Sequence, residues 1–149
     1  MTAGESCNRE VVIIHREGTI VEAAKLMREY HVGDLVVVEE GDKGRIPVGI
    51  VTDRDLVVEI VAQGVDFDAV TIGDVMSFDL VTAEETESVR DTVKKMRSRG
   101  VRRMPVVDQS GVLQGILTVD DLIELYAEAL CDLNAVTVQE QKRERECRV

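Results

Sequence analysis

Residues 49–56 read GIVTDRDL, and residues 115–122 read GILTVDDL. Five of the eight positions are identical at an offset of 66, and each stretch is an apolar run that leads into the pattern Thr-x-x-Asp. Upstream the offset becomes 69, because the turn at residues 40–45 is longer than its counterpart at residues 109–111. That offset aligns further identical pairs: Lys25 with Lys94, Met27 with Met96, Arg28 with Arg97, Val32 with Val101, Val37 with Val106, and Val38 with Val107. The chain is therefore predicted to contain two copies of one supersecondary unit.

Each copy is predicted to fold in the order β-α-β-β-α. The predicted strands are aliphatic runs: residues 11–14, 35–38 and 48–51 in the first copy, and residues 80–83, 104–107 and 113–117 in the second. Thr19 and Ser88 stand where the N-caps of the first helices belong. Strands with so little polar alternation indicate a sheet that is covered on both faces. Because a unit of roughly 60 residues buries too little surface to be stable alone, we expect an α/β (α+β) fold in which the two sheets pack about a pseudo-two-fold axis.

The predicted organisation has four parts. These are a first repeat over residues 4–62, a linker over residues 63–75, a second repeat over residues 76–130 and a charged C-terminal tail over residues 131–149. The last stretch of the tail, QEQKRERECRV, is almost wholly polar. It predicts either a solvated helix or a frayed end without a specific duty.

The composition argues against several classes of protein. The 149 residues include 18 Lys and Arg and 29 Asp and Glu, so the net charge is −11. Such a charge repels phosphate backbones and anionic lipids, which argues against a nucleic-acid partner or a membrane partner. Aromatic residues make up only 3% of the chain, too few for the stacking platforms of a single-strand binder.

Cysteine usage and hydropathy indicate the compartment. Three cysteines without a C-x-x-C spacing do not predict a disulfide framework or a zinc knuckle. Residues 1–10 contain no apolar run of the kind found in a secretory signal, and the aliphatic runs are too short to span a bilayer. We therefore expect a cytoplasmic protein.

The chain lacks the residue pattern of an enzyme. Its two histidines, His15 and His31, flank the first predicted helix, and the second copy has no histidine at the equivalent positions. A histidine at a helix C-terminus is more often a partner of the helix dipole than a catalyst. The sequence contains neither G-x-x-x-x-G-K nor G-x-G-x-x-G. We expect no catalytic residues, no catalytic cofactor and no metal site.

The repeated Thr-x-x-Asp pattern supports two interpretations. An acid three residues after a Thr makes a capping box, which stabilises a helix N-terminus. The same geometry places amide donors and a carboxylate at the end of a strand, where an anion and the hydroxyls of a ribose can bind. A cap and a ligand site coexist when the cleft beside the helix is open.

Several stretches together resemble one family. GIVTDRDL, GILTVDDL, VRRMPVVD at residues 101–108 and TIGDVMSFDLVT at residues 71–82 are similar to a tandem pair of cystathionine-β-synthase-type (CBS) domains, also called a Bateman module. The resemblance covers about residues 4–130. It implies a regulatory module that pairs into a dimer. It also implies a ligand such as AMP, ADP, ATP, NAD or a derivative of S-adenosylmethionine, although some members have none known.

The resemblance also implies which residues bind a ligand. In the family the Asp of the motif holds the ribose, the Thr approaches a phosphate, basic residues contact phosphates, and aliphatic residues enclose the base. The residues carried over for the cleft of the first copy (the first cleft) are Thr52, Arg54, Asp55, Gly33, Val81 and Val101. Those for the cleft of the second copy (the second cleft) are Thr118, Asp121, Arg102, Arg103, Val12 and Val32.

Charge separates the two predicted clefts. Apart from the ribose-binding acids, the motif segments of the second copy carry a pair of arginines against Asp120, a net charge of 2 − 1 = +1. Those of the first copy carry Arg54 against Asp34 and Asp53, a net charge of 1 − 2 = −1. We therefore expect the second cleft to prefer phosphate. The first cleft is expected to hold a ligand with less phosphate charge or to stay empty.

The favoured function is non-catalytic. An adenine nucleotide (AMP, ADP or ATP) or another adenosyl ligand binds between the repeats and changes the geometry of a homodimer, whose output passes to an effector protein. The second helices carry more apolar residues than one face can bury, which indicates a dimer interface: Val57, Val58, Ile60, Val61, Leu122, Ile123, Leu125 and Tyr126. Two alternatives stay open, a ligand-free dimerisation scaffold and a sensor of NAD or S-adenosylmethionine.

Overall fold

The structure, a computed structural model, describes residues 1–148. The first half of the chain contains α1 (Ala3–Ser6), β1 (Ile13–His15), α2 (Ile20–Tyr30), β2 (Asp34–Gly41), β3 (Gly44–Thr52) and α3 (Asp53–Asp55), which passes directly into a π-helical segment, Leu56–Val61. The second half contains α4 (Ile72–Val75), β4 (Ala83–Glu84), α5 (Val89–Arg99), β5 (Arg103–Val107), β6 (Leu113–Thr118) and α6 (Val119–Cys147). Each copy thus has the predicted β-α-β-β-α order, preceded by one short helix.

Each copy forms its own three-stranded sheet, ordered β1-β2-β3 and β4-β5-β6. β1 runs parallel to β2, β2 runs antiparallel to β3, and β4 runs parallel to β5. Asp34 is the register partner of Thr52, so the first residue of β2 lies beside the last residue of β3. The predicted α/β fold class is confirmed, and the register brings the polar ends of two strands to one edge of the sheet.

Strand β2 is buried on both faces, as its aliphatic sequence predicts. Leu35 and Val37 belong to the core that α2 and the π-helical segment cover. Val36 and Val38 point the other way and pack with Ile116 of β6. Successive side chains of a strand face opposite sides of its sheet, so β2 contributes to a helix-facing layer and to the layer where the two copies meet.

The segment that precedes each copy pairs with the other copy. Isolated bridges join Thr71 to Thr19 and Ser77 to Ile50 of the first copy, and join Thr2 to Ser88 and Asn8 to Ile116 of the second. Each bridge of the first set matches one of the second at the repeat offsets. The two bridges to the second copy tie residues that lie more than 80 positions apart, and the exchange joins the two halves of the chain.

The exchange explains why a glycine stands at the same repeat position in both third strands, Gly49 in β3 and Gly115 in β6. A Cβ on Gly49 would lie 2.6 Å from Sδ of Met76 and 2.8 Å from the carbonyl oxygen of Ser77. A Cβ on Gly115 would overlap Sγ of Cys7 and lie 2.7 Å from the carbonyl oxygen of Asn8. The preceding segment of the opposite copy crosses the strand at this point, and only a residue without a side chain leaves room for it.

Residues 1–117 form one compact unit, and a second unit begins at Thr118. The second unit consists of α6, a helix of 29 residues. The polar tail is helical as far as Cys147, which agrees with the solvated-helix alternative, and residues 126–148 are exposed. Within residues 1–148, no helix is both long and apolar enough to cross a membrane.

Candidate functional site

A cavity of about 230 Å³ lies where the end of β3 meets residues that precede and begin the second copy. This cavity is the first cleft. Its lining residues are Ile50, Thr52, Asp55, Ser77, Asp79, Leu80, Val81, Val101, Arg102 and Arg103. The first cleft therefore combines a hydroxyl and acid pair, aliphatic walls and two arginines within one cavity.

Thr52 and Asp55 are held in place by a capping box at the start of α3. The backbone amide of Asp55 donates to Oγ1 of Thr52 at 3.1 Å, and the amide of Thr52 donates to Oδ2 of Asp55 at 2.8 Å. The capping interpretation of the motif is thus confirmed for this helix. The cap uses only one carboxylate oxygen of Asp55, and both residues also line the cavity. The geometry is therefore also compatible with ligand binding by this motif.

Arg103 reaches the first cleft through an ion pair with the first copy. Its Nε lies 2.7 Å from Oδ1 of Asp34, and the two side chains are 33% and 17% exposed. Asp34 and Arg103 occupy equivalent positions, since they differ by the repeat offset of 69. An ion pair between equivalent residues lies close to the pseudo-two-fold axis. At this place the acid of one copy neutralises the base that the other copy has at the same repeat position.

The placement of the arginines corrects the sequence-based assignment. Arg102 and Arg103 were expected in the second cleft, but they line the first cleft together with Thr52 and Asp55. The physical reason is that strand starts near a pseudo-two-fold axis face the opposite copy, so β5 supplies side chains to the end of β3. The arginines thus lie in the cavity that holds Thr52 and Asp55, and which cleft prefers phosphate stays a prediction.

A second cavity, of about 550 Å³, lies at the equivalent place before and within the first copy. Its lining residues are Asn8, Glu10, Val11, Val12, Ile13, Leu26, Tyr30 and Val32. Val12 and Val32, which the sequence predicted as walls of the second cleft, are thus brought together. Glu10 is the one charged residue of this lining, so the described wall of the second cleft carries an acid and no base.

Thr118 and Asp121 form a capping box of their own at the start of α6. The amide of Thr118 donates to Oδ2 of Asp121 at 2.9 Å, and the amide of Asp121 donates to Oγ1 of Thr118 at 3.1 Å. The Thr118 hydroxyl also donates to Oδ2 of Asp121 at 2.6 Å. Within residues 1–148 the Thr52 hydroxyl donates no such bond. That Thr118 and Asp121 belong to the second cleft stays a prediction.

Two other candidate residues lie outside the lining of both cavities. Arg54 is exposed, and its amide donates to Oδ1 of Asp53 at 2.7 Å. The carbonyl oxygen of Gly33 accepts a hydrogen bond from the amide of Asp53 at 3.0 Å. A Cβ on Gly33 would lie 3.2 Å from Oδ2 of the same aspartate. In this position, the backbone of Gly33 stabilises the start of α3 through its hydrogen bond with Asp53.

Sequence reasoning missed the residues that precede the first strand of each copy. Ser77 and Asp79 line the first cleft, and Asn8 and Glu10 line the second. Both pairs are related by the offset of 69. Continuing the repeat alignment upstream of the first strand of each copy could have identified these four residues.

Two βαββα units with exchanged preceding segments define a tandem-repeat module. The CBS domain family matches residues 3–62 and 72–128. The chain therefore belongs to the CBS-domain proteins and carries a tandem CBS pair, or Bateman module, as the sequence resemblance predicts. The two CBS domains account for most of the chain, and neither is a catalytic domain.

Similar proteins share this pair. An uncharacterized protein of Methanopyrus kandleri is 41% identical over 125 residues, which are 84% of this chain and 62% of that protein. A CBS domain pair solved in complex with 5'-methylthioadenosine and S-adenosyl-L-methionine is 27% identical, with a TM-score of 0.73 over 87% of this chain and 98% of that one. A hexameric CBS-CP12 protein from bloom-forming cyanobacteria is 30% identical, with a TM-score of 0.70 over 83% and 69% of the two chains.

Proposed function

We propose that this chain is a regulatory module that binds an adenosyl ligand, with an adenine nucleotide preferred, in the first cleft. The observation that carries the proposal is the lining of that cleft, where Thr52, Asp55 and Arg102 come together beside aliphatic walls. The similarity to a CBS pair solved with two adenosyl compounds supports the ligand class. The presence of arginines favours a phosphate-bearing member of that class.

The ribose is assigned to Asp55. The capping box uses Oδ2 of this residue, and Oδ1 is not needed for the cap. A carboxylate at the edge of a cleft accepts hydrogen bonds from vicinal hydroxyls, as in dinucleotide sites. Bonds to a charged acceptor contribute on the order of 1.5–3 kcal/mol each, so Asp55 is expected to supply a large share of the affinity.

The base and the phosphates are assigned to different residues of the same cavity. Leu80, Val81 and Val101 are half-buried, and they offer apolar contact to the two faces of an adenine. Arg102 and Arg103 lie at the start of β5, where guanidinium groups can donate bidentate hydrogen bonds to phosphate. The Thr52 hydroxyl, which keeps its proton for an outside acceptor, is assigned to the nearest phosphate.

The proposed output is a change in the geometry of a homodimer that an effector protein reads. A ligand shifts such an equilibrium only through its different affinities for the two geometries. Of the residues expected at the dimer interface, Ile60 and Leu122 are buried, whereas Val57, Val61, Ile123 and Tyr126 are about half exposed or more. Each unit thus carries exposed apolar residues that a second copy would cover, Val57 and Val61 within residues 1–117 and Ile123 and Tyr126 on α6.

A binding panel with one matched pair of variants tests the ligand assignment. AMP, ADP, ATP, 5'-methylthioadenosine and S-adenosylmethionine are titrated while the thermal midpoint is measured. A ligand at about 100 times its dissociation constant is expected to stabilise the fold by about 2.7 kcal/mol. Asp55→Ala is expected to remove this shift. Asp74→Ala removes the same kind of capping acid from α4, outside either cleft, and is expected to keep it.

The matched control separates binding from capping. If both variants lose the ligand shift together, the effect comes from helix capping and the assignment of Asp55 is wrong. If no compound of the panel shifts the midpoint of the unmodified protein, the ligand-free scaffold is the better description.

A further inference from the structure

The last helix presents an apolar stripe that no part of the described chain covers. Ile123, Tyr126, Leu130 and Leu133 are each between 49% and 67% exposed. They follow one another at spacings of three, four and three residues, so they lie on one face of α6, and we name them the α6 seam. Alternation of three and four is the spacing of a helix that packs along its length against another helix.

The charges of α6 are unevenly distributed along its length. Residues 119–138 contain five acidic residues and no basic one, whereas residues 139–148 contain four basic residues and three acidic ones. A parallel pair of α6 helices would place five acids beside five acids. An antiparallel pair places the acidic part of each helix beside the part that holds Lys142 and Arg143.

We propose that α6 pairs with α6 of a second copy of this chain in an antiparallel coiled coil, with its two-fold axis near residues 131 and 132. In this register Leu130 of one helix packs against Leu133 of the other, and residues 120–124 lie level with residues 139–143. Opposite charges then flank an apolar centre, which fixes the orientation. This coil would be an interface of the homodimer in the proposed function, and the inference rests on that homodimer.

The native cysteines report the orientation. At about 1.5 Å per residue, an antiparallel pair places the two Cys147 residues about 45 Å apart, on opposite ends of the coil. A parallel pair brings them to within disulfide-forming distance of each other. Spin labels on Cys147, in a chain carrying Cys7→Ser and Cys131→Ser, measure this distance directly.

The experiment combines that distance with the strength of self-association. Leu130→Lys with Leu133→Lys is expected to weaken dimerisation at least tenfold in sedimentation equilibrium. Both residues are exposed, so circular dichroism should show an unchanged fold. Val138→Lys changes a valine that is also more than half exposed and lies off the seam, and it is expected to leave the dimer intact. The labels are expected near 45 Å.

Three results overturn the proposal in different ways. Label distances below about 20 Å contradict the antiparallel orientation. A double variant that dimerises as well as the unmodified protein shows that the interface lies elsewhere, while the homodimer of the proposed function stands. The third result is a protein that stays monomeric over a 100-fold range of concentration, up to about millimolar, which spans weak association. It contradicts both the coil and the homodimer. The ligand panel then decides whether the chain binds a ligand.

Discussion

The first cleft and the second cleft are lined by equivalent segments of one repeat, yet arginines line only the first. Arg102 stands where the first copy has Gly33, and Arg103 stands where it has Asp34. Both arginines line the first cleft, and Arg103 also pairs with Asp34 of the first copy. These two differences between the copies give equivalent segments of the repeat unequal charge.

The largest effect is expected from removing the arginine that distinguishes the clefts. Arg102→Ala is expected to weaken ATP binding tenfold or more, because charge-assisted hydrogen bonds contribute on the order of 1.5–3 kcal/mol. Binding of 5'-methylthioadenosine, which has no phosphate, should change less than twofold. Isothermal titration of both ligands measures the difference.

Arg54→Ala is the matched control for charge, since Arg54 is exposed and lies outside the cleft lining. It should leave ATP affinity unchanged. Equal losses for both ligands in Arg102→Ala would show that the arginine shapes the cleft and does not contact phosphate.

Introducing an arginine at the equivalent position of the first copy tests the same comparison, with a smaller expected change in nucleotide affinity. Gly33→Arg gives the first copy the residue that the second copy has, and we expect it to tighten the weaker nucleotide-binding event about tenfold. A Cβ at this position would lie 3.2 Å from Oδ2 of Asp53, a contact that a small side-chain shift relieves. Gly33→Ala adds the Cβ without the charge. If the alanine variant gains as much as the arginine variant, charge does not explain the difference between the clefts.

The smallest effect is expected at the ion pair. Asp34→Asn removes the carboxylate beside Arg103 and leaves more of the guanidinium charge for a phosphate. Because the pair is partly exposed and screened, ATP affinity should rise only about threefold, with no change for 5'-methylthioadenosine. Fluorescence competition at constant ionic strength resolves a change of this size. A loss of ATP affinity would mean instead that Asp34 holds Arg103 in its binding position.

The repeat and its element order could be predicted from the sequence because they depend on local patterns. The aliphatic run of β2 predicted a strand buried on both faces, and Leu35 to Val38 are all fully buried. The predicted strand was shorter than the observed Asp34–Gly41, since its end is polar and extends into an exposed hairpin. The π-helical turn at Leu56–Val61 has no signal in the hydrophobic pattern.

The assembly of the site could not be predicted in the same way. Which copy receives Arg102 depends on how two sheets cross, and a pseudo-two-fold axis sends equivalent strand starts to opposite sides. The exchange of the segments around Cys7 and Met76 is a contact between distant parts of the chain. The repeated glycines, Gly49 and Gly115, were a trace of it in the sequence, because they mark where another backbone approaches.

The inequality of the clefts is tested most directly by calorimetric titration of AMP into three proteins: the unmodified chain, Asp55→Ala and Asp121→Ala. Each variant removes one motif acid and one capping acid, and Asp121→Ala also removes the hydrogen bond from the Thr118 hydroxyl. We predict that Asp55→Ala abolishes the tighter binding event and that Asp121→Ala retains it. Loss of the tighter event in Asp121→Ala, with its retention in Asp55→Ala, would contradict the assignment of phosphate to the first cleft.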